Sequence, residues 1–180
     1  MGEDFFITIE RLELISFFAA YPLLYFFIHF TAESFKVQSK FFGKIKSLLP
    51  YAYALSGLAF TGYQIHNLYP DFSVQHIKDS NQLLFLKVWA IFSIIFLMPF
   101  FARKPIISLL HSLIFFSLLL QDLYQHLSGN KENIYTVKND MKVYTDSILI
   151  QITALIVIIV LYYTINSIQA GKANKKQDSI

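Results

Sequence analysis

The stretch from Leu83 to Tyr124 reads LLFLKVWAIFSIIFLMPFF, then ARKP, then IISLLHSLIFFSLLLQDLY. Each apolar run is about 20 residues long, the length that a helix needs to cross the ~30 Å hydrocarbon core of a membrane. Because lipid offers the backbone no hydrogen-bond partners, the pair is expected to form a helical hairpin. Arg103 and Lys104 lie in its turn, and the positive-inside rule places that turn on the cytoplasmic side.

The composition also indicates a membrane protein. Hydrophobic residues make up 55% of the 180-residue chain and charged residues 15%, with a mean hydropathy of +0.48. The chain has no cysteine, which excludes disulfides, thiolate metal sites and a cysteine nucleophile. The pI is near 9.0, but the lysines fall in loops beside apolar runs, so the expected counter-charge is the lipid bilayer rather than nucleic acid.

Further apolar segments flank the hairpin, so residues 1–180 are predicted to form a single all-α domain, a polytopic bundle of five transmembrane helices. Residues 1–10 carry no basic n-region, and the first apolar run is longer than a signal-peptide h-region, which favours a retained span. Pro22 lies within that span and removes a backbone donor, which a kink or a neighbouring helix must compensate. The predicted spans are 12–30, 48–69, 83–101, 106–124 and 147–168, followed by a polar tail, 171–180, that we expect to be mobile.

Basic residues orient the five spans independently of the hairpin. Nine fall on the predicted inner side and five on the outer side, so the amino terminus is predicted outside and the carboxyl terminus in the cytoplasm. This topology is typical of small bacterial proteins, and we predict the inner (plasma) membrane of a bacterium. The inner set is Lys36, Lys40, Lys44, Lys46, Arg103, Lys104, Lys172, Lys175 and Lys176, and the outer set is Arg11, Lys78, Lys131, Lys138 and Lys142.

Polar side chains share one face on two of the predicted spans. On the fourth span they form a stripe within a sector of about 100°, which predicts either a pathway or a buried polar contact. On the second span small and hydrogen-bonding residues share a face, as is typical of close helix packing. We expect the first, second and fourth spans to contact one another, with the third and fifth more exposed to lipid. The fourth-span stripe is Lys104, Ser108, His111, Ser112, Asp122 and His126, and the packing face is Tyr53, Gly57, Thr61 and Gln64.

A second polar group is expected near the outer membrane surface. It comprises Glu13, His66, Lys87 and Asp146, each within about two helical turns of that surface. Intramembrane charges are costly and are usually paired or functional, so Lys87 could pair with Asp122 or Glu13 in a charged vestibule. The alternative is that Lys87 snorkels to the headgroups along its own aliphatic stem.

The sequence predicts neither a cofactor nor a metal site. His29 and His111 lie at a similar inner depth, but the outer histidines fall on a different pair of helices, which does not fit a dihaem bundle. The spacings of His66 and His76 with the nearby aspartates match no standard metal motif. No zinc-protease, serine-hydrolase, Walker or Rossmann motif is present, so we predict no catalytic residues.

Two functions from different classes remain. The first is a non-enzymatic binding or assembly module, either a homo-oligomer or the accessory subunit of a membrane complex. Its support is the small size of the chain and the polar outer segment 125–146, which is long enough to dock a partner. The alternative is an oligomeric channel or transporter for an ion or small solute, lined by the fourth-span stripe. We favour the binding module, because a polar stripe is also typical of buried contacts within a bundle.

Overall fold

The computed structural model describes residues 2–34, 40–70, 83–128 and 134–177, and every regular element in these ranges is helical. This confirms the all-α class. The elements are α1 (Gly2–Phe18), α2 (Tyr21–Ser34), α3 (Lys40–Leu68), α4 (Leu84–Ile91), a 3₁₀-helix (Phe92–Leu97), α5 (Pro99–Ala102), α6 (Pro105–Leu127) and α7 (Ile134–Gln177).

Within the described ranges, three helical segments are long and apolar enough to cross a membrane, where the sequence predicted five. They are Ile7–Ser34, Pro105–Gln125 and Met141–Ala170. The helix α3 has the length, at 29 residues, but its tyrosine, serine, threonine and glutamine residues make it less apolar. The remaining predicted span is apolar but interrupted, because its longest helical run, Leu84–Leu97, is short and ends before Pro99.

The first predicted span is broken into α1 and α2 just before Pro22. A proline in this place removes one backbone donor and displaces the preceding turn. Polar side chains of α7 bind the interrupted backbone. The Ser147 hydroxyl accepts a bond from the Ala20 N–H at 3.0 Å and donates to the Ile15 carbonyl at 2.8 Å. The Gln151 amide donates to the Phe17 carbonyl at 2.6 Å. The kink and the compensating neighbour expected from Pro22 are both present.

The central element of the bundle is α3, which packs against α1, α2, α6, α7 and the 3₁₀-helix. The expected contacts of the first, second and fourth spans are therefore present. The third and fifth spans are more involved in packing than expected, because the 3₁₀-helix lies against α3, and α7 packs along both α1 and α3. The apolar core is rich in aromatic rings.

The last helix extends well beyond the predicted fifth span, 147–168. It runs for 44 residues, about 66 Å at 1.5 Å per residue. Its amino-terminal turns take up residues that the sequence placed in a polar outer segment. Its carboxyl-terminal turns include 171–177, and the mobility of the tail stays a prediction. Since the hydrocarbon core is only ~30 Å thick, α7 is long enough to project beyond it.

Candidate functional site

Glu10 and Lys87 form a buried ion pair at one end of the bundle. This end is termed outer, after the orientation predicted from the sequence, and the end at the Arg103–Lys104 turn is termed inner. The Lys87 Nζ lies 3.2 Å from the Glu10 Oε1, and both side chains are less than a tenth exposed. The other carboxylate oxygen accepts the Leu83 N–H at 2.7 Å, at the start of α4. Glu10 therefore binds a backbone donor at the start of α4 and neutralises the lysine one turn later. This geometry gives Lys87 a partner other than the Asp122 or Glu13 that membrane depth suggested.

A second carboxylate of α1, Glu13, joins α1 to α3. Its two oxygens accept the Tyr63 hydroxyl and the Gln64 amide, each at 3.0 Å. Gln64, assigned from the sequence to the packing face, is thus bonded to a member of the outer cluster. Asp146 is half-buried and lines a groove with Glu13, whereas His66 is exposed in the last turn of α3. The four residues of the predicted outer cluster therefore do not form a single site, because each lies in a different contact or on the surface.

The outer carboxylate of the fourth-span stripe is held by α7. Asp122 is 3% exposed, and its Oδ2 accepts the Tyr144 hydroxyl at 2.6 Å. On the same side of α6, the Arg11 guanidinium of α1 donates to the Leu118 carbonyl at 3.0 Å. The side chain of His126, the last predicted member of the stripe, lies outside the described residues.

The inner half of the stripe centres on His111. Its Nδ1 lies 2.8 Å from the Tyr53 hydroxyl, so a residue of the predicted packing face and one of the stripe form a single pair. The Trp89 indole stacks on the imidazole at 4.7 Å with 8° between the planes, and its N–H donates to the His111 carbonyl at 3.3 Å. The His111 Nε2 is buried and has no hydrogen-bond partner among the described residues. Aromatic rings, including Phe96 at 5.6 Å, pack against the imidazole.

The serines of the stripe also form hydrogen bonds within the bundle. Ser108 is fully buried, and its hydroxyl lies 2.7 Å from that of Tyr21 on α2. Ser112 is fully buried too and donates to the Leu109 carbonyl of its own helix. Lys104, at the inner end, is exposed, with its ammonium 5.5 Å from the centre of the Phe100 ring.

The packing face of α3 also approaches the 3₁₀-helix. Gly57 is buried, and a Cβ built at this position would overlap the Ser93 hydroxyl. Thr61, one turn later, donates to the Gly57 carbonyl at 2.8 Å. The absence of a side chain at Gly57 is what admits the 3₁₀-helix to this distance.

An aromatic layer separates the outer polar contacts from the inner ones. Phe18, at the end of α1, Phe60 of α3 and Phe115 of α6 are fully buried, and Phe60 and Phe115 each lie between polar residues of their own helix. The Phe18 ring lies 5.3 Å from Phe60 and 4.7 Å from Phe115, centre to centre. The Glu10–Lys87 and His111–Tyr53 pairs thus lie on either side of these rings, while Ser147 and Gln151 bond the backbone around Phe18.

Several residues of these contacts were not singled out from the sequence. Glu10 shares a helix face with Leu14 and Phe18, at i, i+4 and i+8, and this register could have placed it in the core. Ser147 and Gln151 likewise share one face of α7 opposite the proline break. The sequence gives no comparable signal for Trp89 or Tyr144, because their roles depend on partners far along the chain.

Within the described ranges, no group of three or more His, Cys, Asp or Glu side chains is placed to hold a metal ion. Comparison of the chain with family models, curated proteins and solved structures finds no match.

Proposed function

We propose that this chain is a non-enzymatic membrane protein that acts as a binding or assembly module, recognising either a second copy of itself or another membrane protein. The observation that carries the proposal is the internal pairing of three polar side chains that the sequence left as candidates for a pathway or for helix contacts. Glu10 pairs with Lys87, Asp122 binds Tyr144 and His111 binds Tyr53, above and below the layer of Phe18, Phe60 and Phe115. Because these side chains bond one helix to another, they support a binding or assembly module more than a channel or transporter lined by free polar groups.

The proposal includes five membrane crossings, with the amino terminus outside and the carboxyl terminus in the cytoplasm of a bacterial plasma membrane. The low hydropathy of α3 does not argue against its crossing the membrane, because neighbouring helices cover much of its surface. The interrupted segment Leu84–Leu97 spans about 24 Å, since a 3₁₀-helix rises about 2.0 Å per residue against 1.5 Å for an α-helix. The short α5 then extends it towards the Arg103–Lys104 turn.

Cysteine accessibility tests the crossings cleanly, because the chain has no cysteine of its own. In intact cells, a membrane-impermeant maleimide should label Tyr69→Cys and Ser128→Cys, and should reach Lys172→Cys only after permeabilisation. The Tyr69 site decides the number of spans. If only the three most apolar segments crossed, residue 69 would lie in the cytoplasm while residues 128 and 172 kept the same labelling. Labelling of Lys172→Cys in intact cells would refute the orientation.

The binding function is tested by photocrosslinking from two sites of similar exposure on α7. Met141 is 59% exposed near the outer end of the helix, and Val160 is 57% exposed within the span. We expect a photoreactive residue at 141 to give a discrete protein adduct in cell membranes and one at 160 to give lipid adducts. The purified protein should support no ion flux in liposomes. Robust flux without a partner, together with only lipid or solvent adducts at 141, would favour the channel or transporter instead.

A further inference from the structure

A groove of about 470 Å³ opens at the end of the bundle where the Arg103–Lys104 turn lies. Three separate parts of the chain form it: the first half of α3, the turn after α5 and the second half of α7. Its wall is mainly aliphatic and includes Leu48, Ile158 and Leu161. Leu161 is 49% exposed, so the groove faces the space that lipid chains occupy around a spanning helix.

Cationic and hydroxyl-bearing residues line this groove or lie beside it. The exposed Arg103 and the Tyr162 ring both line it. The Lys44 ammonium lies 5.0 Å from the centre of that ring, which brings a second cation beside the same groove. The Ser47 hydroxyl belongs to the lining as well. Arg103 comes from one segment and Lys44 from another, so it is the fold that brings the two positive charges to one groove.

A groove at the opposite end of the bundle has charged lining residues of the opposite sign. This groove of about 540 Å³ lies between α1, α3 and α7 and is lined by Glu13 and Asp146. An anion would be repelled there and attracted to the groove at Arg103. The two grooves are similar in size and differ in the charge of their lining, so the second is an internal comparison for the first.

We propose that the groove at Arg103 and Lys44 binds one anionic phospholipid. Its phosphate lies at the mouth, where the guanidinium and the ammonium donate hydrogen bonds, and one acyl chain lies along Leu48, Ile158 and Leu161. A phospholipid matches both features of the site, since its charge sits at the membrane surface and its chains run beside the helices. The site is independent of the proposed protein partner, which we place near the other end of α7.

The test is a titration of the purified protein with phosphatidylglycerol in neutral detergent, followed by native mass spectrometry. The comparison ligands are phosphatidylcholine with the same chains and inorganic phosphate. Arg103→Gln and Lys44→Gln should each weaken phosphatidylglycerol binding about fivefold, the equivalent of ~1 kcal/mol per basic residue. Lys104→Gln is the matched control: it removes the same charge at the same membrane surface, but Lys104 lies over Phe100, which is outside the groove, whereas Lys44 lies over the lining residue Tyr162.

A fourth variant tests the acyl-chain part of the groove. Leu161→Trp enlarges an exposed wall residue, so the bundle should fold normally while lipid occupancy falls with both cations in place. The proposal is supported if the protein binds phosphatidylglycerol in preference to phosphatidylcholine and if inorganic phosphate does not compete. It also requires that the Arg103→Gln variant binds phosphatidylglycerol more weakly than the Lys104→Gln variant does. It is overturned if the Arg103→Gln and Lys104→Gln variants bind phosphatidylglycerol with equal affinity, if the protein binds both lipids with equal affinity, or if inorganic phosphate displaces the lipid.

Discussion

Replacing Lys87 with methionine should destabilise the bundle by about 3–5 kcal/mol, because the buried Glu10 carboxylate loses its counter-ion. The Nζ–Oε1 distance of 3.2 Å gives an attraction of ~5 kcal/mol at an effective dielectric constant of about 20. Exposure of the two side chains is 8% and 7%, so solvent screens little of this attraction. Methionine keeps most of the apolar stem of lysine, and packing losses should therefore be small.

The companion variants separate the ion pair from other effects. In Glu10→Gln the amide oxygen can still accept the Leu83 N–H, so this bond at the start of α4 is retained while the charge is removed. The double variant, Glu10→Gln with Lys87→Met, should recover roughly half of the loss or more, because it leaves no unpaired charge buried. Lys104→Met, at an exposed lysine, should leave stability unchanged.

The measurement is an equilibrium SDS titration in mixed micelles, followed by the fluorescence of Trp89. This is the single tryptophan of the chain, and it stacks on His111 at 4.7 Å in the folded bundle. Unfolding should therefore change its emission. If Lys87→Met behaves like Lys104→Met, or if the effects of the Glu10 and Lys87 variants simply add, the lysine is snorkelling and the reasoning from the ion pair is refuted.

Three further predictions concern helix contacts; the first is measured by the yield of folded protein and the other two by the same titration. Gly57→Leu should prevent folding or reduce yield sharply because the new side chain meets the 3₁₀-helix, while Gly62→Leu, with open space around it, should fold; equal yields would refute the close approach. His111→Gln should be tolerated, whereas His111→Leu should cost about 1–3 kcal/mol by leaving the tyrosine hydroxyl without its partner; equal stabilities would contradict this. Ser147→Ala should cost about 1–3 kcal/mol by orphaning a backbone N–H at the helix break, and the exposed Ser117→Ala is its control.

The residues around the first helix break illustrate how far the sequence alone can reach. Pro22 removes a backbone donor in the middle of the first predicted span, so an interruption is expected there from one residue, although Pro50 lies within the continuous helix α3. The identity of the compensating groups does not follow, because Ser147 and Gln151 are far away in the chain and become neighbours only when α7 packs on α1. A serine and a glutamine on a very apolar helix are compatible with several other roles.

For the polar contacts, too, the sequence predicts the buried residues but not their partners. That Asp122 and His111 avoid lipid is predicted from their shared helical face with Ser108 and Ser112. Their partners, Tyr144 and Tyr53, depend on the rotation and depth of two other helices. The sequence shows which residues share a helix face, but the helix that packs against that face is decided only in the assembled bundle.

Composition and run length determined by themselves that this chain is helical and suited to a membrane, because apolar stretches of this length can satisfy their backbones only within helices. The tertiary structure decided which polar groups meet. It placed Glu10 against Lys87 and brought Arg103 and Lys44 to one groove. These choices lie outside the sequence pattern because helices in lipid associate through close packing and side-chain bonds, which depend on the fit of several distant segments at once.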